Sequence, residues 1–307
     1  MSEPVRVAAI DCGTNSIRLL VADLADGVLR EVDRRMIIVR LGQGVDATGS
    51  FAPEALERTF SACEQYAELI RLYDVQRLRF VATSAARDVA NADEFFAGVR
   101  SRLGVDPDII AGSEEAALSF AGATGGLTDV PGPYLVADIG GGSTELVLGD
   151  ADGVIAAESL DMGSVRMTER HVRSDPATAD EIAAMTKDID ALLDATVVPL
   201  AKARSLVGVA GTVTTVAAVA LDLPEYDRDR VHHARISGDQ LVETTSWLLS
   251  STRAQRAERQ AIHPGRVDVI GAGALILARL HARLQVDELL VSEHDILDGT
   301  ALSLHQE

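Results

Sequence analysis

The alternation of apolar runs and polar breaks along the first third of the chain predicts three consecutive strands. Apolar runs cover residues 5–10, 17–24 and 28–41, and turn signals at residues 13–15 and at Asp26-Gly27 separate them. Apolar positions at helical spacing predict helices over 53–73, with Pro53 in the tolerated first turn, and over 92–103. Short apolar runs predict strands over 78–82 and 108–110. The pattern therefore indicates an antiparallel meander followed by alternating helices and strands.

The second half of the chain repeats this order. Strands are predicted over 134–137, 144–148, 154–160 and 205–209, and a long helix over 179–195. The segments 10–20 and 137–147 align with each other, which pairs four positions: Asp11 with Asp138, Gly13 with Gly140, Ser16 with Ser143, and Arg18 with Glu145. The chain is thus read as an internal duplication of the α/β class, with a mixed sheet and flanking helices in each half. The Gly/Pro-rich stretch 122–133 puts the domains at 1–124 and 125–307, with a ligand cleft expected between them.

Each of the two aligned segments is a hairpin whose turn could hold phosphate. Glycines let backbone N–H groups approach an anion closely, and the small hydroxyl groups add donors. In the second copy, Asp138 and Glu145 offer oxygen ligands to a hard cation such as Mg²⁺. An Asp-x-Gly turn also joins strands in many proteins without binding anything. Two related copies favour the phosphate interpretation.

Composition fits two ordinary domains and excludes several classes of protein. The chain has 307 residues, of which 47% are hydrophobic and 4% aromatic, so its cores are predicted to be mainly aliphatic. The formal net charge of −19 argues against nucleic acid as a partner, because that binding needs a Lys/Arg surface. No apolar run is long enough for a membrane helix, and Met1 to Pro4 lead straight into a strand without a signal peptide. We therefore expect a cytoplasmic protein with no membrane partner.

The two cysteines do not form a disulfide framework. Cys63 falls in the helical stripe that also contains Leu56, Phe60, Ala67 and Ile70. This position predicts a buried structural thiol.

Five motifs occur in an order that is specific to one family. They are Asp11-x-Gly13-x-Asn15-Ser16, Thr83-x-x-x-Arg87, Gly112-Ser-Glu-Glu115-Ala, Asp138-Ile-Gly140-Gly141-Gly-Ser143-Thr-Glu145, and Gly208-Val-Ala-Gly211-Thr212. With these motifs the whole chain resembles the exopolyphosphatase/guanosine pentaphosphate phosphohydrolase family. The resemblance implies duplicated actin-like (ribonuclease H-like) domains, and it implies Mg²⁺-dependent hydrolysis, with Mn²⁺ as an alternative metal. It also makes a homodimer an expected assembly, and longer members carry a further helical C-terminal region.

The resemblance assigns Glu115 as the general base that activates the attacking water. From the residues alone, Glu114 and Glu115 could equally well be acidic residues that stabilise a helix N-terminus after an N-cap at Ser113. The resemblance also places Arg87 on the substrate phosphate, whereas an arginine in a turn is otherwise usually solvated. The predicted phosphate contacts are Asn15, Ser16, Arg18, Arg87, Gly140, Gly141, Ser143, Gly211 and Thr212, and the predicted metal ligands are Asp138, Glu145 and Asp11.

For three further segments no binding or catalytic role is predicted. Gly271-Ala-Gly273 lacks the third glycine of a dinucleotide-binding turn and lies in a predicted helix over 266–283. The adjacent pair His232-His233 is read as a polar loop. Asp295 stands where the family commonly has glycine, so no role is transferred to the segment from Ser292 to Gly299.

The residues and the resemblance together predict an exopolyphosphatase that releases orthophosphate from inorganic polyphosphate, with short chains favoured. Hydrolysis of pppGpp to ppGpp, the activity of the stringent response, is the closest alternative, and NTP hydrolysis is a side activity to consider. A kinase or ATPase of the same superfold would transfer phosphate to an acceptor other than water. A silent phosphate sensor would bind without turnover, which Glu115 argues against.

Overall fold

The computed structural model describes residues 3–83, 89–125, 127, 130–150 and 152–305. Its strands are β1 Val5–Cys12, β2 Ser16–Ala25, β3 Val28–Ile38, β4 Arg77–Ala82, β5 Asp108–Ile109, β6 Tyr134–Ile139, β7 Thr144–Asp150, β8 Gly153–Leu160, β9 Ser205–Val209, β10 Arg235–Ser237 and β11 Glu288–Val291. Its α-helices are α1 Val45–Thr48, α2 Pro53–Leu72, α3 Ala92–Leu103, α4 Gly112–Thr124, α5 Ser164–His171, α6 Ala179–Ala195, α7 Ala210–Ala220, α8 Arg228–Val231, α9 Gly238–Ser250, α10 Arg253–Ala257, α11 Ile270–His281 and α12 Ile296–Ser303.

The strands form two sheets that are built on the same plan. The first has the order β3-β2-β1-β4-β5 and the second the order β10-β11-β9-β6-β7-β8. In both, an antiparallel meander (β1–β3 or β6–β8) is followed by a strand parallel to its first member, β4 or β9. This arrangement confirms the duplicated actin-like fold and the α/β class.

The register of the two hairpins confirms the alignment of the copies. Asp11 lies opposite Arg18 in the first hairpin, and Asp138 lies opposite Glu145 in the second. In each turn the N–H of the glycine donates to the carbonyl of the serine three residues later: Gly13 to Ser16 and Gly140 to Ser143, both at 3.0 Å.

Several element boundaries differ from those predicted. Strand β3 ends at Ile38, because the N–H groups of Val39 and Arg40 both donate to the Asn15 carbonyl (3.0 and 2.9 Å) and leave the ladder. Helix α4 begins at Gly112 rather than after Ser113, because the Ala111 carbonyl accepts from the N–H groups of Glu114 and Glu115. Helix α11 begins only at Ile270, after a single 3₁₀ turn over Pro264–Arg266.

The chain divides into two compact units. The first comprises Met1–Gly122 together with Ile296–Glu307, and the second comprises Ala123–Asp295. The final helix α12 joins the first unit rather than the second, because Leu297 and Ala301 are fully buried against the sheet. The predicted boundary at 124/125 lies two residues from the one found.

The core of the second unit is aliphatic, as the low aromatic content predicts, whereas the core of the first unit contains the aromatic residues Phe51, Tyr66, Phe80 and Phe95. One face of the first sheet packs on α2 and α3 around Phe80 and Phe95, and the core of the second unit surrounds α7, α9 and α11. None of the helices within the described ranges combines the length and apolar character that crossing a bilayer requires.

Candidate active site

In the first unit, Asp11 and Arg18 form a partly buried ion pair at the open end of the hairpin. The Arg18 guanidinium donates to Oδ2 of Asp11 from Nε at 3.0 Å and from Nη2 at 2.6 Å. The sequence pattern did not show from which face of the sheet the Arg18 side chain projects. The cross-strand register places Arg18 directly opposite Asp11, so both side chains project from the same face. The predicted phosphate contact and the predicted metal ligand are thus partners of one another.

The β1–β2 turn has its carbonyl oxygens engaged by protein. Asn15 O accepts from two backbone N–H groups, and Thr14 O accepts from Gly42 N at 2.9 Å. Carbonyl oxygens held in this way are turned to protein donors rather than toward an anion. Gly13 and Ser16 complete the turn, which keeps the predicted phosphate-binding residues in one tight loop.

The structure gives Glu114 and Glu115 different surroundings. The Glu114 side chain keeps 46% of its surface exposed and pairs with Arg79 at 2.7 Å. Glu115 is only 6% exposed, in the first turn of α4. A buried carboxylate beside a solvated, ion-paired one fits the assignment of Glu115, not Glu114, to chemistry.

The predicted phosphate contact Arg87 lies outside the described residues. The strand that leads toward it ends at Ala82, and Thr83 N donates to Cys12 O at 3.2 Å. Thr83 is therefore fixed beside the end of β1, with its Oγ1 near Gly13.

In the second unit, two acidic side chains face each other across β6 and β7. Asp138 is 6% exposed and Glu145 is 2% exposed. Directly opposite residues of an antiparallel pair project to the same face, so the two carboxylates lie on one side of the sheet. Ser159 Oγ on β8 donates to Glu145 Oε1 at 2.7 Å and fixes that side chain.

These two carboxylates suit a hard cation, although they do not form a complete protein cage. Within the described ranges, no group of three or more His, Cys, Asp or Glu side chains could hold a metal ion. Mg²⁺ commonly binds through one or two carboxylates and completes its shell with water and phosphate oxygens. Asp138 and Glu145 fit that coordination, whereas Asp11 is occupied by Arg18.

The glycine-rich turn after β6 is held by the start of α5, a contact that the sequence did not reveal. Ser164 N donates to Gly140 O at 2.9 Å, Val165 N donates to Gly141 O at 2.9 Å, and Arg166 Nε donates to Gly142 O at 2.7 Å. A Cβ placed on Gly163 would lie 2.3 Å from Gly141 O. The sequence signal for this contact was a Gly-Ser pair that follows the predicted strand 154–160 by two residues.

A second contact that the sequence missed involves Arg266. A Cβ on Gly211 would lie 2.0 Å from Arg266 Nη2, so the guanidinium packs directly on this glycine. Arg266 Nη1 also donates to Thr215 Oγ1 at 3.3 Å, and Thr215 Oγ1 donates to Gly211 O at 2.6 Å. An arginine 55 positions away in the chain gave no local signal of this placement.

The first residue of α7 carries backbone strain. Ala210 has φ of 65°, in the left-handed region that favours glycine. Strained backbone of this kind collects at ligand-binding sites. Thr212, in the first turn of α7, packs against Gly273 of α11, where an added Cβ would meet Thr212 Cγ2 at 2.4 Å.

The helical interpretation of Gly271-Ala-Gly273 is confirmed, whereas the adjacent His232 and His233, which do lie in a turn, have rings that contact each other instead of diverging. Gly271 and Gly273 lie inside α11, not in a nucleotide-binding turn. His232 and His233 stack with ring centroids 3.8 Å apart, and His294 joins them at 4.8 Å from His232.

Comparison with known proteins places these features in a family. A sequence profile of the Ppx/GppA phosphatase family matches residues 20–306. Exopolyphosphatase 2 of Mycobacterium tuberculosis is 52% identical over 97% of this chain and 98% of that protein. A guanosine-5'-triphosphate,3'-diphosphate pyrophosphatase of Vibrio atlanticus is 28% identical over 99% of this chain but only 60% of its own length.

Two solved structures are also similar to this chain. An exopolyphosphatase-like protein superposes with a TM-score of 0.96 at 45% identity and covers 99% of this chain and 98% of its own. A Ppx/GppA family member from Aquifex aeolicus superposes with a TM-score of 0.83 at 30% identity, over 99% of this chain and 98% of its own.

Proposed function

The chain belongs to the Ppx/GppA phosphatase family, and from this membership we propose that it is an exopolyphosphatase that releases orthophosphate from the end of inorganic polyphosphate. The observation that carries the proposal is the burial of Glu115 beside the exposed, ion-paired Glu114. A positioned carboxylate that is shielded from bulk water suits a general base. The high identity to an exopolyphosphatase over nearly the full length of both chains supports polyphosphate as the substrate.

In the proposed reaction, Glu115 takes a proton from a water molecule while the water oxygen attacks the terminal phosphorus. The new P–O bond forms as the bond to the bridging oxygen breaks, so orthophosphate leaves and the chain is one phosphate shorter. Donors that are fixed before the reaction stabilise the charge on the transferred group. In the second unit we assign this role to the amides of Gly141 and Gly211 and to the Ser143 and Thr212 hydroxyls, with Gly140, whose own N–H donates to Ser143 O, closing the turn that presents them.

In the first unit we assign Asn15, Ser16 and Arg87 to the substrate phosphates. Arg18 is held by Asp11, so it would reach an anion as part of that ion pair, while Asp11 orients it. This leaves Asp138 and Glu145 as the ligands we propose for Mg²⁺ or Mn²⁺. When bound, such an ion neutralises phosphate charge.

Hydrolysis of pppGpp is the second candidate, because a relative of that activity matches 99% of this chain. The two reactions break the same kind of bond and differ in what lies beyond the transferred group. Cytoplasmic location and a homodimer are further proposals. Cell fractionation and sedimentation would test them.

Glu115→Gln tests the proposal most directly. We expect it to lower turnover of short polyphosphate by about 10²–10⁴-fold, because the amide keeps the shape but cannot accept the proton. Binding of substrate, measured by calorimetry, should change little. The matched control is Glu114→Gln, one residue away, which weakens the ion pair with Arg79 but leaves the Glu115 carboxylate in place, so turnover should fall by no more than about fivefold.

The unmodified chain and both variants are also assayed with pppGpp and ATP. Comparison of kcat/KM among the substrates then ranks them. If Glu115→Gln retains more than about a tenth of the turnover on every substrate, the base assignment is wrong.

A further inference from the structure

At Gly299, helix α12 packs directly against the main chain of α4, the helix that carries Glu115. A Cβ added to Gly299 would lie 1.9 Å from the carbonyl oxygen of Leu118 and 3.0 Å from its Cα. Leu118 is three residues after Glu115, on the next turn of α4. Only glycine permits this approach, so the distance between the two helices is set by their main chains.

A second link joins the same two helices through a side chain on β4. Arg79 Nη1 donates to Ser303 Oγ on α12 at 2.9 Å, and Arg79 Nη2 donates to Glu114 Oε1 on α4 at 2.7 Å. Glu114 directly precedes Glu115. The first turn of α4 is therefore tied to the last turn of α12 by one guanidinium.

Helix α12 is itself fixed to the first sheet. Asp298, which is 7% exposed, accepts from Arg34 Nη2 of β3 at 2.6 Å. Arg77 Nη1 donates to Leu304 O at 2.7 Å, and the apolar face of α12 is buried against β1 and β2. These contacts make the helix a rigid support rather than a mobile tail.

We propose that α12, through Gly299 and through the bridge from Ser303, is the positioning element that holds Glu115 at its working distance from the attacking water. The inference rests on the proposed function, since it takes Glu115 as the base. A helix moves as a unit over one turn, so a displacement at Leu118 is passed to Glu115. Misplacing a catalytic group by about 1 Å can cost about 10²-fold in rate.

Gly299→Ala is the first test. The added methyl cannot fit 1.9 Å from a carbonyl oxygen, so α4 and α12 must separate. We expect kcat to fall about 10- to 100-fold while KM changes less than about twofold, because the change displaces the base and not the phosphate donors. Ser303→Ala, which removes only the hydroxyl that meets Arg79, is a milder variant and should lower kcat about two- to fivefold. Circular dichroism and the thermal midpoint report whether each variant is folded.

A double-mutant cycle with Glu115→Gln separates positioning from general destabilisation. If Gly299 and Ser303 act through Glu115, neither Gly299→Ala nor Ser303→Ala should lower kcat further once Glu115 is Gln. A merely structural effect would multiply with the loss at Glu115. Asp108→Asn is the control, because it removes another partner of Arg79 that lies on neither helix.

The outcomes keep the two hypotheses apart. If Glu115→Gln is nearly inactive while folded Gly299→Ala and Ser303→Ala keep full kcat, the positioning role is overturned and the base stands. Multiplicative losses in the cycle also overturn it. If Glu115→Gln stays active, the proposed function fails first, independently of α12.

Discussion

Six carboxylates in the described chain are less than a tenth exposed, and burial of a charge is costly unless a partner compensates it. Asp11 and Asp298 each receive an arginine, at 2.6 Å in both cases. Asp138 and Glu145 instead face each other, and two like charges at cross-strand distance repel. Ser159 Oγ donates to Glu145, and a cation bound between the two carboxylates would be attracted by both of them.

The metal assignment is tested by Asp138→Asn and Glu145→Gln. We expect both to raise the Mg²⁺ concentration for half-maximal activity by about tenfold or more, because each removes a hard anionic ligand. In the presence of a chelator the same variants should have thermal midpoints equal to or above that of the unmodified chain, because the repulsion is gone. Asp161→Asn changes an exposed carboxylate of the second unit and is the control. An unchanged Mg²⁺ midpoint in both site variants would place the metal elsewhere.

The two thiols should be inert in the native protein. Burial raises the pKa of Cys63 to about 12 and raises that of Cys12 well above its usual value. The thiolate is the reactive form, so native protein at pH 8 should take up no iodoacetamide within an hour, and denatured protein should take up two equivalents. Labelling of either thiol at the rate of a free cysteine would show that the first-unit core opens readily.

At the scale of elements, the two meanders were predictable because each strand is an apolar run ended by a turn signal. Strands β10 and β11 and helices α1, α5, α8, α9, α10 and α12 were not predicted. Three-residue β10 and four-residue α8 are too short to show a period. The contact between α5 and the glycine-rich turn depends on backbone atoms, which leave no pattern in the sequence. Gly163 was missed for the same reason, and Arg266 was missed because it lies 55 positions from Gly211, whereas a local motif singled out Asp138 and Glu145.

Gly163→Ala tests how tightly α5 holds the glycine-rich turn. The new Cβ would lie 2.3 Å from Gly141 O, so the turn or the helix must move. We expect a loss of about 1–3 kcal/mol in stability and a weaker apparent affinity for phosphate, measured by thermal unfolding with and without inorganic phosphate. For stability the comparison is Gly13→Ala, a glycine in the first-unit turn where the nearest atoms to a new Cβ are 3.7 Å away. Equal stability of the two variants would mean that the close approach is not rigid.

On the scale of the whole molecule, the charge distribution predicts which polyphosphate the proposed enzyme would prefer. The net charge is −19, and the dense basic segment 253–259 is already engaged. Arg256 is buried and lies 3.6 Å from Asp175, and Arg259 pairs with Asp222 at 2.7 Å while its guanidinium stacks on Trp247. These arginines do not form a track for a long anion.

We therefore expect short polyphosphate to be used better than long chains. A long chain meets an acidic surface beyond its last few phosphates, so kcat/KM per chain end should be several-fold lower for long chains at low ionic strength. Added salt screens the repulsion and should narrow the difference. Measurement of kcat/KM per chain end for short and long polyphosphate at two salt concentrations tests this expectation. Equal or better use of long chains at low salt would contradict the charge argument.

Of the division into two units, the sequence predicted only the boundary near residue 122. That the last helix returns to the first unit could not be predicted, because the duplicated pattern says nothing about which distant segments pack together. Leu297, Ala301 and Leu304 pack with Val7 and Leu20 in one apolar cluster.

Because α12 follows the second unit in the sequence but packs on the first sheet, the first unit can complete its fold only after the second unit has been synthesised. While the ribosome is still translating the second unit, the strands of the first sheet have already emerged, yet the face that α12 covers is exposed to solvent. The N-terminal half thus emerges first and is finished last, only after residue 304 has left the exit tunnel. Until then a nascent chain carries a bare apolar patch and an unsupported α4, a state that chaperones are suited to shield. The proposed hydrolase therefore reaches its full activity only once α12 has docked on the first sheet.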